Sequence, residues 1–244
     1  MEFNVNKCEV LHFGKKNKST DYFLNGEKIG KAKVQRDLGV LVEDSLKVNM
    51  QVEPVIKKAN AMLSLISRGL EYKNTIVLLR LYKALVRPHL EYCVQFWSPH
   101  LRKDILALER VQRRFTRMIP GMVGLTYEER LRILGLYSLE LRRLRGDLIE
   151  QYKIIHGLER VDARKLFPLG EETRTRGHSL RIRGSKFRTE MRRHFFSQRV
   201  VGLWNSLPQS AVDAGTLNVF KAEIDRFLLS RGIKGYGENA GKWS

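Results

Sequence analysis

The sequence is poor in cysteine and in long apolar runs, and each shortage removes a class of protein. Two cysteines, Cys8 and Cys93, in 244 residues are too few for a disulfide framework and fit a reducing compartment. Every apolar run is broken by Arg, Lys or Glu well before the roughly 20 residues that a membrane-spanning helix needs. Nor does the start of the chain hold an apolar signal core, so the expectation is an intracellular protein, nuclear or cytoplasmic, and not a secreted one. The phosphate-binding pattern G-x-x-x-x-G-K-S/T, the nucleophile pattern G-x-S-x-G and the zinc pattern H-E-x-x-H are all missing. Glu43-Asp44 is the nearest approach to a catalytic carboxylate pair, but it falls at a strand-to-helix boundary, where acids serve as caps and partners of the helix dipole. The six histidines do not alternate with the cysteines at zinc-ligand spacings; His89 and Cys93 would share a helical face only if a helix resumes after Pro88. These absences predict no self-contained active site, no metal, no cofactor and no small-molecule substrate.

What is present is a normal core and an abnormal charge. Hydrophobic residues make up 43% of the chain, close to the globular average, so a sizeable core can form. Against 45 Lys and Arg stand only 26 Asp and Glu, a formal charge of +19. An excess of that size implies a polyanionic partner, with nucleic acid ahead of anionic membrane.

The hydrophobic pattern changes period once. Cys8–Phe13, Asp21–Leu24, Glu27–Ile29 and Leu38–Val42 read as short strands, the middle two joined by Asn25-Gly26, whose residues both tolerate positive φ. From Val48 the period becomes helical, with Val52, Val55, Ile56, Ala59, Met62, Leu63 and Ile66 on one face. Further helices are predicted from Asn74 to about Pro88, which should kink or end the helix, from Leu101 to Ile119, and from a Thr126-x-x-Glu129 capping box to about Leu134. Ser138 caps a longer helix ending at Gly157, and Thr216–Leu229 forms the last. Between Val161 and Thr189 there is no periodicity. The predicted fold is mainly α with a small N-terminal antiparallel β element.

The charge concentrates in two places. Setting Arg110 at 0° and advancing about 100° per residue puts Arg113 near 300°, Arg114 near 40° and Arg117 near 340°, opposite Leu108, Val111, Phe115 and Met118 at about 80–160°. Such a stripe repels itself, a cost that phosphates lying along it would offset; a solvated face with some pairing to Glu109 is the plainer alternative. Residues 160–199 hold the second concentration, twelve basic residues against four acidic, with Arg181, Arg183, Lys186 and Arg188 at its centre. The preference for Arg suits bidentate phosphate binding and stacking on bases, whereas an unstructured basic linker would explain the composition alone.

Several motifs, in order, resemble one family. Asn4-Val5-Asn6-Lys7 followed by Cys8-Glu9-Val10-Leu11-His12-Phe13-Gly14 is similar to a stretch that follows the catalytic aspartates in the palm of non-LTR retrotransposon reverse transcriptases. Asp37-Leu38-Gly39-Val40-Leu41-Val42 resembles their primer-grip strand, which implies primer-grip-like roles for Leu38, Gly39 and Val40. Leu81-Tyr82-Lys83, Leu90-Glu91-Tyr92, Trp97, Leu108–Phe115, Trp204-Asn205-Ser206-Leu207-Pro208 and Phe220-Lys221 resemble the thumb and following region of LINE-type elements of the jockey and chicken-repeat group.

The resemblance implies a division into a palm and primer-grip remnant over residues 1–45, a thumb-like helical region over 46–120, a basic helical region over 121–230 with an irregular Arg-rich segment at 160–189, and a tail at 231–244. The family's Tyr/Phe-x-Asp-Asp metal-binding pair does not occur, nor do its fingers and endonuclease. Met1 therefore looks like an internal methionine of a longer frame. Lys7 matches the family's palm lysine, held to act as a general acid toward pyrophosphate, but without the aspartates and the Mg²⁺ of the intact enzyme its activity does not transfer. The expectation is a truncated reverse transcriptase, not an enzyme on its own, that binds RNA, DNA or their hybrid with little sequence preference. One alternative keeps the polymerase assignment of the full-length element; another is a helical module for an acidic protein or membrane.

Overall fold

The computed structural model describes residues 3–14, 16–170 and 177–231, and these are mainly helical with a few short strands. β1 (Glu9–Leu11) pairs in parallel with β4 (Gly30–Ala32), while β2 (Phe23–Leu24) and β3 (Glu27–Lys28) form the expected hairpin. Its turn is Asn25-Gly26, with φ of 52° and 81°, the left-handed pair that a two-residue hairpin requires. A second hairpin joins β5 (Val34–Asp37) to β6 (Val40–Glu43).

That hairpin corrects the reading of Leu38–Val42 as one strand. Asp37 pairs with Val40, so Leu38-Gly39 is the turn itself, with φ of 44° and 85°. Leucine is a poor left-handed residue, and the neighbouring glycine is the one local signal that the chain reverses here. The Tyr92 hydroxyl donates to the Leu38 carbonyl at 3.0 Å and steadies the tip. Leu38 is fully out in solvent, whereas Val40 is buried.

α1 (Asn49–Gly69) buries Val52, Val55, Ala59, Leu63 and Ile66, the face its spacing predicts. α2 (Thr75–Leu81) starts at Asn74, whose side chain accepts from the amides of Ile76 and Val77. The chain then makes a π-helical turn over Tyr82–Val86 and continues as α3 (Arg87–Glu91), so the helix does not end at Pro88. The wide turn puts Pro88 in the first turn of α3, where a missing amide costs nothing. α4 (Val94–Trp97) and α5 (Arg102–Met118) follow, and α6 (Tyr127–Ile133) opens on the predicted capping box of Thr126 and Glu129.

α7 (Leu139–Ile155), capped by Ser138, joins two cores. The first is built on α1 to α6 and reaches Leu139; the second starts at Leu141 and gathers Tyr152, Trp204 and Phe220. The cores therefore divide inside α7, not at residue 120. Short helices α8 (Ala163–Leu166), α9 (Glu190–Arg193), α10 (Phe196–Arg199), α11 (Val201–Trp204) and α12 (Gln209–Val212) lead to α13 (Leu217–Ser230), which packs on α7. Tyr152 stacks on Phe220 with centroids 4.2 Å apart, and its hydroxyl donates to the Ala214 carbonyl.

The aperiodic segment is not a free linker throughout. Between residues 178 and 183 it is held by the Trp204–Gln209 stretch: Trp204 Nε1 donates to Leu180 O at 2.8 Å, and the Asn205 amide both accepts from Ile182 N and donates to Ile182 O at 2.8 Å. Gln209 accepts from Ser179 N at 2.9 Å, and His178 donates through Nε2 to Trp204 O. Asn205 thus pairs with Ile182 as a neighbouring strand would. Asn205→Ala removes both bonds from a partly buried site and is expected to lower stability by about 1–3 kcal/mol. Faster amide exchange at Ile182 measures the release.

Candidate nucleic-acid interface

The Arg face of α5 forms because the opposite face is consumed by the first core. Leu108, Val111 and Phe115 are buried there, and Phe115 stacks on Tyr82 at 4.0 Å. Three polar residues, Glu109, Gln112 and Thr116, are also buried on that side, and each is hydrogen-bonded. Gln112 accepts from the Tyr82 hydroxyl at 2.6 Å and donates to the Tyr127 hydroxyl and to Tyr137 O, both at 2.9 Å. Glu109 accepts from the Tyr127 hydroxyl and from the Leu139 amide. Burial raises the Glu109 carboxyl above the usual carboxylate range, and Tyr127 is likewise pushed up by burial and by Glu109. Glu109 is therefore a core residue and does not pair with the arginine stripe.

On the other face, Arg110, Arg114 and Arg117 are exposed and Arg113 is half-buried. Together with Met118 they line an open dish of about 430 Å³. Arg113 lies over the Tyr127 ring at 4.1 Å, and Arg114 donates to Asn60 Oδ1 at 3.1 Å and to Ser64 Oγ at 3.3 Å on α1. These neutral contacts fix direction without cancelling charge. Among the described residues no carboxylate pairs with any of the four. A fifth guanidinium lies close by: Arg130 is buried, bonded to Thr116 Oγ1 and Leu125 O, and its pKa is lowered first by burial and then by Arg117.

The sequence reading missed that the stripe is longer than four residues. Lys103, one more turn toward the start of α5, falls near 20° on the same wheel and is exposed. Lys57 and Arg68 of α1 are exposed and share helical spacing with Asn60 and Ser64, which hold Arg114. The 57, 60, 64, 68 spacing was visible, but its relation to α5 is tertiary. No family model, curated protein or solved structure matches the chain.

The second concentration divides. Arg183, Lys186 and Arg188 are exposed, whereas Arg181 is half-buried beside Gly177 and engaged with its surroundings. Arg174 and Arg176 lie outside the described residues. Arg199 belongs to the interior. Its guanidinium pairs with Asp147 at 2.8 and 2.9 Å and donates to the carbonyls of His194, Val94 and Gln95, tying α10 to α4 and α7.

The remaining candidates are not brought together. Lys7 is exposed at the end of a 3-10 turn capped by Asn4 and joins no cluster of chemistry-bearing groups among the described residues. Leu38 and Gly39 form a hairpin tip, and only Val40 joins the core. Cys93 lies beyond the end of α3 in a left-handed conformation, so it does not share a helical face with His89. Among the described residues no group of three or more His, Cys, Asp or Glu could hold a metal ion. No described helix is long and apolar enough to cross a membrane.

Proposed function

We propose that this chain is a sequence-independent nucleic-acid-binding module corresponding to the thumb and following region of the LINE-type reverse transcriptases it resembles, and that it grips nucleic acid without carrying out chemistry itself. The observation that carries the reading is the α5 face of Arg110, Arg113, Arg114 and Arg117, oriented by neutral partners and left without a carboxylate among the described residues. Guanidinium groups on successive turns match a phosphate backbone and read no base edges, which gives affinity with little sequence preference. Lys103, Lys57 and Arg68 widen the surface.

Replacing the four arginines with glutamine tests it by titration against an RNA–DNA hybrid. The slope of log affinity against log salt is expected to fall by up to about 3.6, at about 0.9 for each phosphate that is no longer neutralised. The loss of affinity between about 50 and 200 mM salt then shrinks by about 10²-fold. An unchanged slope overturns the proposal. Binding confined to anionic vesicles would assign the face to a membrane, and primer extension by this chain with Mg²⁺ would make it an enzyme.

A further inference from the structure

A cavity of about 590 Å³ opens where the chain leaving the basic segment meets the start of α5. Phe96, Pro99, Leu101, Met191 and Phe195 give it apolar walls. His100 and His194 stand at its edge as a parallel stack, with centroids 4.2 Å apart and planes 5° from each other. His194 has its pKa lowered, chiefly by burial and then by His100, which favours its neutral imidazole. Lys47 and Arg192 supply positive charge at the rim. Of the two acids there, Glu190 is engaged by His194 at 3.3 Å and Arg193 at 3.7 Å, and Asp104 occupies the first turn of α5.

The position of the cavity decides what it would hold. Thr189 on its wall directly follows Arg183, Lys186 and Arg188, and Leu101 on the opposite wall starts the helix that carries Lys103 and the arginine stripe. From Leu101 to Arg110 is about 14 Å along the helix. A strand following both basic surfaces would cross the start of α5, where the cavity opens. Lys47 and Arg192 would then meet its phosphates, while the space behind them is apolar, aromatic and large enough for one ring system. Val48 and Leu101, the N-caps of α1 and α5, make no side-chain cap bond, and both residues line the cavity.

We infer that this cavity receives an unpaired nucleobase of the bound strand, stacked against the histidine and phenylalanine rings. The inference rests on the nucleic-acid reading above and sharpens its substrate class to strands with unpaired bases. A base held in a duplex stack cannot enter, so the site favours single-stranded over blunt duplex nucleic acid.

The test uses a single-stranded oligonucleotide carrying one 5-iodouracil, with a blunt duplex of the same sequence as control. Irradiation of the complex is expected to crosslink peptides spanning 96–101 or 189–195. Met191→Trp fills the cavity and Phe195→Ala removes a wall; both residues are about 40% exposed, so the cores are left intact. Each variant is expected to weaken single-strand binding by about 5- to 150-fold, the range for loss of one base stack, with the salt slope and duplex affinity unchanged. Crosslinks confined to other segments, or variants that bind as before, overturn the pocket while leaving the arginine face standing. Equal losses for single strand and duplex also overturn it. If neither nucleic acid binds, both readings fall together. Should a variant fail to fold, the crosslink map of the unaltered chain decides.

Discussion

Arg199→Met is expected to lower the unfolding free energy by about 3–5 kcal/mol, because it strips the partner from a carboxylate that cannot reach water. The Asp147 side chain is 5% exposed, and its bonds in the structure run to Arg199. Three carbonyls, on Val94, Gln95 and His194, lose their guanidinium donor at the same time. Chemical denaturation measures the effect, and its pH dependence identifies the cause. Burial already raises the Asp147 pKa, and pairing with Arg199 is the main influence that lowers it. Removing Arg199 lifts it further above the unfolded value. A carboxyl whose folded pKa lies above its unfolded pKa binds more protons in the native state, so stability falls as pH rises through that window and recovers as pH is lowered. The deficit of Arg199→Met is therefore expected to shrink from pH 7 toward pH 5. Adding Asp147→Asn should restore part of the loss at pH 7, and a strictly additive pair would show that the two side chains are not coupled.

Trp204→Ala is expected to cost about 3–5 kcal/mol. The ring is fully buried in the second core, lies edge-on to His178 at 5.9 Å and borders Phe220 at 6.1 Å. The deletion leaves a cavity and also removes the indole bond to Leu180 O. Because that bond helps pin residues 178–183, the variant should open this segment as well as loosen the core. Two readouts separate these effects. Denaturant midpoint reports the core, and tryptic cleavage at Arg181 or Arg183 reports the segment. Trp204→Phe, which fills most of the volume but donates no hydrogen bond, should regain most of the midpoint and little of the protection. Full protection in Trp204→Ala would show that Asn205, Gln209 and the bridge from Leu169 to Ile182 suffice to hold the segment.

Local chemistry made much of this fold legible in the sequence. Asn25-Gly26 turns because both residues accept positive φ, and Asn74, Thr126 with Glu129, Ser138 and Thr216 cap helices by side-chain bonds to residues within one turn. The α5 arginine face was also visible, since helical spacing alone separates it from Leu108, Val111 and Phe115. What was not legible depends on partners far along the chain. Leu38-Gly39 reads as strand because its reversal is stabilised by Tyr92, 54 residues away. Pro88 reads as a kink or an end because the π turn that accommodates it has no spacing signature. Arg199 counts as surface charge until Asp147, 52 residues earlier, is seen beside it. Residues 178–183 look structureless because their partners are a single antiparallel bridge from Ile182 to Leu169 and the side chain of Asn205, neither of which leaves a period in the sequence. The 590 Å³ cavity likewise collects Lys47, Phe96, His100 and Phe195 from separate stretches.

The sharing of α7 between the two cores bears on how this chain can be dissected. A cut at residue 120, just beyond α5, would remove α6 and leave Gln112 without Tyr127 and Glu109 without Leu139. The arginine face would then sit on a helix whose underside had lost its covering. A cut after residue 156 would keep the first core whole but strand Leu148 and Tyr152 in water. The arginine face and the Trp204 clamp, though built on separate cores, are therefore inherited as one piece.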